Sequence, residues 1–440
     1  MLRGYIAGLS LFVLSLMPII GQETEIIPLS GIIELAIEQN PSLNIMRNRV
    51  TQAENSHTAR PFLPSLNANV RVNNSTTDSK RTFQDREQEF PSAKSENVNA
   101  GVNLTWTVFD GLGMFADYKR SSLNLSLREV ETRTTLENLL VLVSDYYYSI
   151  IVQQHRVDAA QQLMELSKER YRIITEKVDI GSAAGIDLLQ AQLDLNADSS
   201  NLVRQKETLN SLYLSLNRYV NQPLLKTGYI KDSILLGPPL TEQELIMHAE
   251  DNNTDLIAAR LGMEITKQDL NLAKSRWFPT INLVSGYSYS RSESPASVMT
   301  FSQSTGFNYG AEVTMNIFDG FQITRNVKNA KIELESKRLS YEDVHLSVIG
   351  EIHTLYSTYL TNLMMVDFER QNVDVARSNL DIALERYELG VLSGIEFREF
   401  QQAYINAVNR WLDATYQSKV RELSLLIISG QSEVFLSRIN

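Results

Sequence analysis

The side chains that could do chemistry are few and poorly placed for catalysis. The five histidines are scattered along the chain. His345 and His353 can share a helix face, but no third ligand joins them, so the sequence offers no metal set. There is no zinc-protease helix pattern, no P-loop and no nucleophile elbow. Gly111 and Gly113 are too short a pattern for a dinucleotide loop. The run Tyr146-Tyr147-Tyr148 is expected to pack between helices rather than bind a cofactor. Cysteine is absent, which removes disulfides, thiolate metal sites, cysteine nucleophiles and the cysteine of a lipoprotein anchor. Acidic residues outnumber basic ones by 52 to 41, for a net charge of −11. That balance speaks against a nucleic-acid partner, which needs clustered Lys and Arg. The expectation is a protein that is no enzyme and carries no cofactor or metal.

The remaining polar residues make sense only through the elements that carry them, and those elements occur twice. The run Val102 to Gly111 recurs as Val313 to Gly320, with Asp110 and Asp319 standing 209 residues apart. The same offset aligns Gly181 with Gly390, Gly185-Ile186-Asp187 with Gly394-Ile395-Glu396, and Leu214-Ser215-Leu216 with Leu423-Ser424-Leu425. A matched spacing held over roughly 110 residues is an internal repeat. It divides the chain into a first repeat (22–220), a linker (221–240) and a second repeat (241–440).

Each repeat should open with a helix, 30–58 or 242–276. Thr241 and Glu244 form a capping-box pattern before the second. Pro61, Pro64 and Pro279 then end the helices. Two strands follow in each repeat, at 66–76 and 97–109, then at 281–290 and 306–317. Leu66, Ala68, Val70 and Val72 alternate with Asn67, Asn69, Arg71 and Asn73. Phe307, Tyr309, Ala311 and Val313 alternate with Asn308, Gly310, Glu312 and Thr314. Strict alternation over about ten residues marks a membrane-spanning strand, apolar toward lipid and polar toward a wet lumen. The polar segments 77–96 and 291–305 read as loops. Trp106, Phe109, Trp277, Phe278 and Phe318 lie at the other strand ends, where an aromatic girdle would sit.

Asp110-Gly111 and Asp319-Gly320 mark exits into long helices, 113–178 and 321–388, with Asp suited to capping both. Leu136, Leu140, Val143, Tyr147 and Ile150 repeat in a 4-3 rhythm, and their counterparts are His345, Ile349, Ile352, Tyr356 and Tyr359. That rhythm is a heptad seam. Shorter helices, 187–219 and 395–428, complete the repeats. Four strands cannot close a barrel, because single-chain barrels start at about eight and open edges cannot sit in lipid. The chain must oligomerise, and the pattern alone leaves two or three copies open. The N-terminal residues 1–21, with Arg3 before an apolar run, read as a signal peptide.

These strand pairs, FDG exits and helical turns resemble the outer-membrane factor family typified by TolC. The resemblance covers nearly all of the chain beyond residue 21. It implies an α+β membrane protein that is internally duplicated: a homotrimer whose four strands per chain build a 12-stranded transmembrane β-barrel in the outer membrane. A long periplasmic α-helical barrel continues it. The implied partners are outer-membrane lipid, a periplasmic adaptor and an inner-membrane transporter. By the family's tip motif, Gly181, Ser182, Gly185, Gly390, Val391 and Gly394 fall on the adaptor-docking tips. Asp187, Tyr387, Glu396 and Glu399 match the periplasmic gate, with Asp187 bonding across to Tyr387. Leu392 stands where the best-known gate network has an arginine. Glu396 has a second expected role, because Ser393 and Glu396 have capping-box spacing.

The implied function is a passive outer-membrane duct of a tripartite efflux pump, exporting small molecules. The outer-membrane step of type I protein secretion is the alternative within transport. A secreted coiled-coil scaffold or adhesin is the rival from another class. It accounts for the helices and leader but not for alternating strands of membrane length at matched positions.

Overall fold

The computed structural model describes residues 26–83, 86–224, 226–230, 233–294 and 299–439. The expected signal peptide lies outside them. The elements run α1 (Leu29–Gln39), α2 (Pro41–Ser56), β1 (Ser65–Phe83), β2 (Arg86–Phe109), α3 (Gly113–Asp179) and α4 (Gly185–Tyr219) in the first repeat. The second has α5 (Glu242–Asn252), α6 (Thr254–Ser275), β3 (Thr280–Glu293), β4 (Phe301–Thr314), α7 (Gln322–Glu388) and α8 (Gly394–Ile428), and ends with α9 (Ser432–Ile439).

The four strands form one antiparallel sheet in the order β1-β2-β3-β4. The register places Val70 by Ala100, Ala100 by Tyr289 and Tyr287 by Phe307, so the apolar residues of all four strands share one face. Among the described residues no second layer covers that face: Val70, Tyr309 and Phe307 are 74%, 81% and 66% exposed. The opposite face is cross-linked by polar rungs. Asn103 donates to Asn69 at 3.1 Å, Ser290 to Asn99 at 2.8 Å and Thr107 to Asn282 at 2.8 Å. A sheet with an unburied apolar face and a hydrogen-bonded polar face suits lipid outside and water inside. Among the described residues no helix is long and apolar enough to cross a membrane.

The strands differ from expectation in length. Residues 77–83 and 86–96 are strand rather than loop, because β1 and β2 keep pairing to Phe83 and Arg86. They are mostly polar on both faces, which hides the period-2 signal. A bulge lies between Thr77 and Ser79; there Ser92 takes φ 53°, and its amide donates to the Asp78 carboxylate at 2.5 Å. β3 ends at Glu293, opposite Glu96, so this part of the hairpin is a two-stranded ribbon. At 3.3 Å per residue it projects roughly 30 Å beyond the sheet. At the other end β4 stops at Thr314, short of the expected 317.

The long helices α3 and α7 have 67 residues each, about 100 Å. The expected seam is buried on α3 at Leu140, Val143, Tyr147 and Ile150, and on α7 at Ile352 and Tyr359. His345 is half-exposed near Glu250.

Each opening helix is broken in two, at Asn40 and at Asn253. Both asparagines adopt extended backbone and cap the following helix: Asn40 Oδ1 accepts from Ser42 and Leu43, and Asn253 Oδ1 from Leu256. Local side-chain capping outcompetes the continuous helix at these points. The Thr241 side chain makes no cap bond, contrary to the capping-box pattern. Instead Glu242 ties this helix start to His353 at 2.7 Å. Phe321 holds the N-cap position of α7 at φ 63°, but Asp319 two residues before it still accepts from the first-turn amides of Gln322 and Ile323. Asp110 does not cap α3; Leu112 holds the N-cap position at φ 70°.

The main core lies at mid-height, where α1, α3, α4, α8, α9 and the linker meet around Tyr147, Ile150, Tyr213, Tyr229, Leu426 and Phe435. A second cluster joins α5, α7 and α8. A third sits just above the helical tips.

Candidate functional site: the paired helical tips

Both turns at the far end of the helices have the same construction. Gly181 has φ 77° and Gly390 φ 75°, the left-handed conformation that glycine takes at least cost. Ser182 N donates to Lys177 O at 2.7 Å, and Val391 N donates to Arg386 O at 2.9 Å. These closures satisfy carbonyls that would otherwise be orphaned at the helix ends. They leave the apex side chains in solvent: Ile180 is 78% exposed, Leu389 79% and Val391 64%. Nothing stands near Gly181, Gly185 or Gly390, whereas a side chain on Gly394 would meet the Arg170 guanidinium at 2.9 Å.

The expected gate residues are gathered near the tips but are not bonded as expected. Asp187 turns back on its own helix, accepting from Ala184 N at 3.3 Å. The bond from Asp187 to Tyr387 is not made, and the Tyr387 hydroxyl is buried without a hydrogen-bond partner. The Tyr387 ring lies 5.0 Å from the Phe397 ring, with Arg170 and Lys177 over its face. Burial raises its pKa, and the Arg170 charge opposes that rise. Tyr387 is thus held by stacking.

Glu396 forms the expected capping box. Its carboxylate accepts from Ser393 N at 2.9 Å and Ser393 Oγ at 2.7 Å, while Ser393 Oγ accepts from Glu396 N at 3.3 Å. Those bonds from Ser393, hydroxyl first, hold its pKa below the usual carboxylate value. Glu399 is exposed and lines a cleft of 220 Å³ with Arg170, Asp194 and Arg398.

That cleft exposes residues that sequence reading missed. Asp198 accepts both arms of Arg398, each at 2.7 Å, and Ser167 Oγ at 2.6 Å. Asp194 accepts Arg170 at 2.7 Å and Gln190 at 3.0 Å. Asp198 and Arg170 are each 4% exposed. A signal was present: Ala191, Asp194, Asp198 and Leu202 follow buried-seam spacing on α4, facing Leu163, Ser167, Arg170 and Ile174 on α3. Two aspartates in one seam opposite a serine and an arginine mark a polar layer in a coiled coil. Among the described residues no acidic or histidine cluster could hold a metal.

An open four-stranded sheet, duplicated long helices and paired turns at their far end define an outer-membrane channel fold. The family model for the outer membrane efflux protein matches residues 32–222 and 245–431. The chain belongs to that family, and its place is the outer membrane. It is 20% identical to outer membrane protein TolC of Salmonella enteritidis over 79% of this chain and 72% of that protein. It is likewise 20% identical to the cation efflux system protein CusC of Escherichia coli O157:H7, over 77% and 74%. Among solved structures, the Campylobacter jejuni CmeC outer membrane channel superposes with TM-score 0.77 at 16% identity, covering 94% of this chain and 89% of that one.

Proposed function

We propose that three copies of this chain close into a continuous duct through the outer membrane and serve as the passive exit of a tripartite efflux pump for small molecules. The observation that carries the reading is a pair of matching unfinished edges. β1 and β4 are the outer strands of the sheet, and open strands are not tolerated in lipid. The edge helices follow the same division. α2 and α4 pack on α3, and α7 packs on α6 and α8. α4 leaves Ile186, Leu189, Leu193 and Val203 in solvent, and α7 leaves Leu346, Phe368, Val375 and Ile382. One edge therefore consists of β1, α2 and α4, the other of β4 and α7. Each can cover the other in a neighbouring copy. Three copies give twelve strands, within the range of outer-membrane barrels.

In this reading the apexes at Gly181, Ser182, Gly185 and at Gly390, Val391, Gly394 receive a periplasmic adaptor, which links the duct to an inner-membrane transporter. Tyr387, Asp187, Glu396 and Glu399 stand at the narrow end. Three copies of the two glutamates there favour cations over anions. In this reading the transport energy comes from the inner-membrane partner. One relative, AprF of Pseudomonas aeruginosa, is named an alkaline protease secretion protein. Protein secretion is accordingly the second reading.

The test is the purified protein in detergent and in a planar bilayer. A trimeric mass and discrete conductance steps are expected. A monomer that stays soluble without detergent and never inserts would overturn the duct and favour the scaffold.

A further inference from the structure

We propose that the cleft between the start of α3 and the end of α6 binds one anionic phospholipid of the membrane's inner leaflet, head group toward the helices and acyl chains against the sheet. The proposal goes beyond the duct reading and rests only on the outer-membrane placement of the fold.

The cleft has a volume of 360 Å³ and lies where the sheet gives way to the helices. α3 and α6 meet there at Gly111, packed so close to Ser275 O and Phe278 that a Cβ would overlap both. It opens on the lipid side. Trp106 stands on the apolar face of the sheet, opposite Leu283, and its indole donates to Phe62 O at 3.0 Å. The Phe62 ring lies 5.2 Å from that of Phe115, which lines the cleft. The apolar face thus continues from β2 onto α3. Asp117, on the other side of α3, lines a separate cleft with Thr105 and Thr107 of the polar face.

The lining is sorted along the helix axis. Leu112, Phe115 and Phe278 wall the end nearest the sheet, and each is more than half exposed. Gln268, Asn271 and Lys274 of α6 line the remainder. Gln268 lies seven residues before the end of α6, about 10 Å from it. Asn271 donates to Gln268 at 3.1 Å, which sets the two amides side by side. Lys274 is the only charged residue lining the cleft, and among the described residues no carboxylate pairs with it. An inner-leaflet phospholipid has the same polarity, with acyl chains rising into the membrane and phosphate facing the periplasm. The lysine suits the phosphate, and its unbalanced charge favours an anionic lipid.

The backbone supports the same reading. Leu112 holds φ 70°, a left-handed conformation unfavourable for leucine, and Phe321, its counterpart at the repeat offset, holds φ 63°. Both are large, apolar and more than half exposed. Strain kept at the same point in both repeats, each time with an apolar side chain left outside the chain's own core, implies a medium that receives it. α3 and α6 are inner helices, whereas the unfinished edges are α2, α4 and α7, so assembly leaves the cleft open to lipid.

Native mass spectrometry of the full-length protein, exchanged out of detergent containing phosphatidylglycerol or phosphatidylcholine, counts bound lipid per chain. Wild type should retain one phosphatidylglycerol per chain and lose phosphatidylcholine. Lys274→Gln should weaken phosphatidylglycerol retention roughly five-fold, the weight of one lysine on an anionic lipid surface. Lys267→Gln, seven residues earlier and outside the cleft, should change nothing. Leu112→Asn suits the left-handed backbone better and removes an apolar wall. It should therefore lower lipid retention without lowering heat stability, whereas a leucine with only a packing role would lower heat stability alone. Equal retention of the two lipids by wild type, or undiminished retention in Lys274→Gln, overturns the site. Because lipid is counted per chain, a protein that retains it but never forms trimers or pores overturns the duct reading and leaves the site standing.

Discussion

The side-chain amide of Asn253 donates to the carbonyl of Ile428 at 2.8 Å, joining the break between α5 and α6 to the last residue of α8. The first repeat makes the same contact: Asn40 donates to Tyr219 O, the last residue of α4, at 3.0 Å. Each asparagine caps one helix N-terminus with its oxygen and one helix C-terminus with its nitrogen. Two shorter helices, α4 with α2 and α8 with α6, are thereby stacked end to end alongside the neighbouring long helix. Asn40→Ala and Asn253→Ala should each cost about 1–3 kcal/mol, the sum of a lost cap and an unmet buried carbonyl. The heat-dissociation temperature of the oligomer reads the loss. Unchanged temperatures in both variants would count against the stacking role.

The exposed apex residues should serve docking and not conduction. Leu389→Asp/Val391→Asp places charge on a surface that lies mostly open to solvent. Export in cells should collapse while bilayer conductance stays at the wild-type value. A parallel loss of conductance would mean that the apexes shape the pore itself.

Charge selectivity should trace to the glutamates of α8. In Glu396→Ala/Glu399→Ala, reversal potentials under a salt gradient should shift toward zero cation preference. Unchanged selectivity would place the narrowest charged ring elsewhere in the tunnel.

Glu396 also gives the α8 start a pH dependence. Its folded pKa lies below the ordinary glutamate value of about 4.3. The stabilisation is therefore complete above that value and is lost as pH falls through the lowered one. Amide exchange at residues 394–397, corrected for intrinsic rates, should accelerate under acid. In Ser393→Ala it should already be fast at neutral pH.

A buried ion cluster locks the C-terminal helix to the linker. Glu422 is fully buried and accepts from Lys419 at 3.3 Å, from Arg438, and from Gly237 N at 3.4 Å. Glu422→Gln leaves a buried lysine without its counter-ion and should cost about 3–5 kcal/mol. Folding yield and heat stability should both drop. Wild-type behaviour would show that water can replace the carboxylate.

The repeat, the strand faces and the long helices were legible because each is written as a period: 209 residues, two residues, or seven. Val70 and Tyr309 announce a lipid face by alternation alone. The apex glycines were equally readable, since a left-handed turn leaves few other choices. The breaks at Asn40 and Asn253 were missed although each asparagine is a local cap, with Pro41 following the first; only the carbonyls that their side-chain amides meet are remote. The ribbon was missed because polar strands in water carry no burial contrast. At the tips, Glu396 was placed correctly as a cap. The Asp187–Tyr387 tie was not found, because Tyr387 lies against Phe397 and Arg170, which come from other helices. The pairing of Asp198 with Arg398 depends on how α4 meets α8, which neither repeat's local pattern specifies.

The ribbon of β1 and β2 has a consequence for the organism. It rises beyond the sheet at the end opposite the helices, so in the outer membrane it is the part of β1 and β2 farthest from the periplasmic tips. Both its faces are mostly polar, and among the described residues its two strands pair only with each other. Substitutions there leave the seams and the tips untouched. The sequence of this outermost part can thus drift while the conduit beneath stays the same.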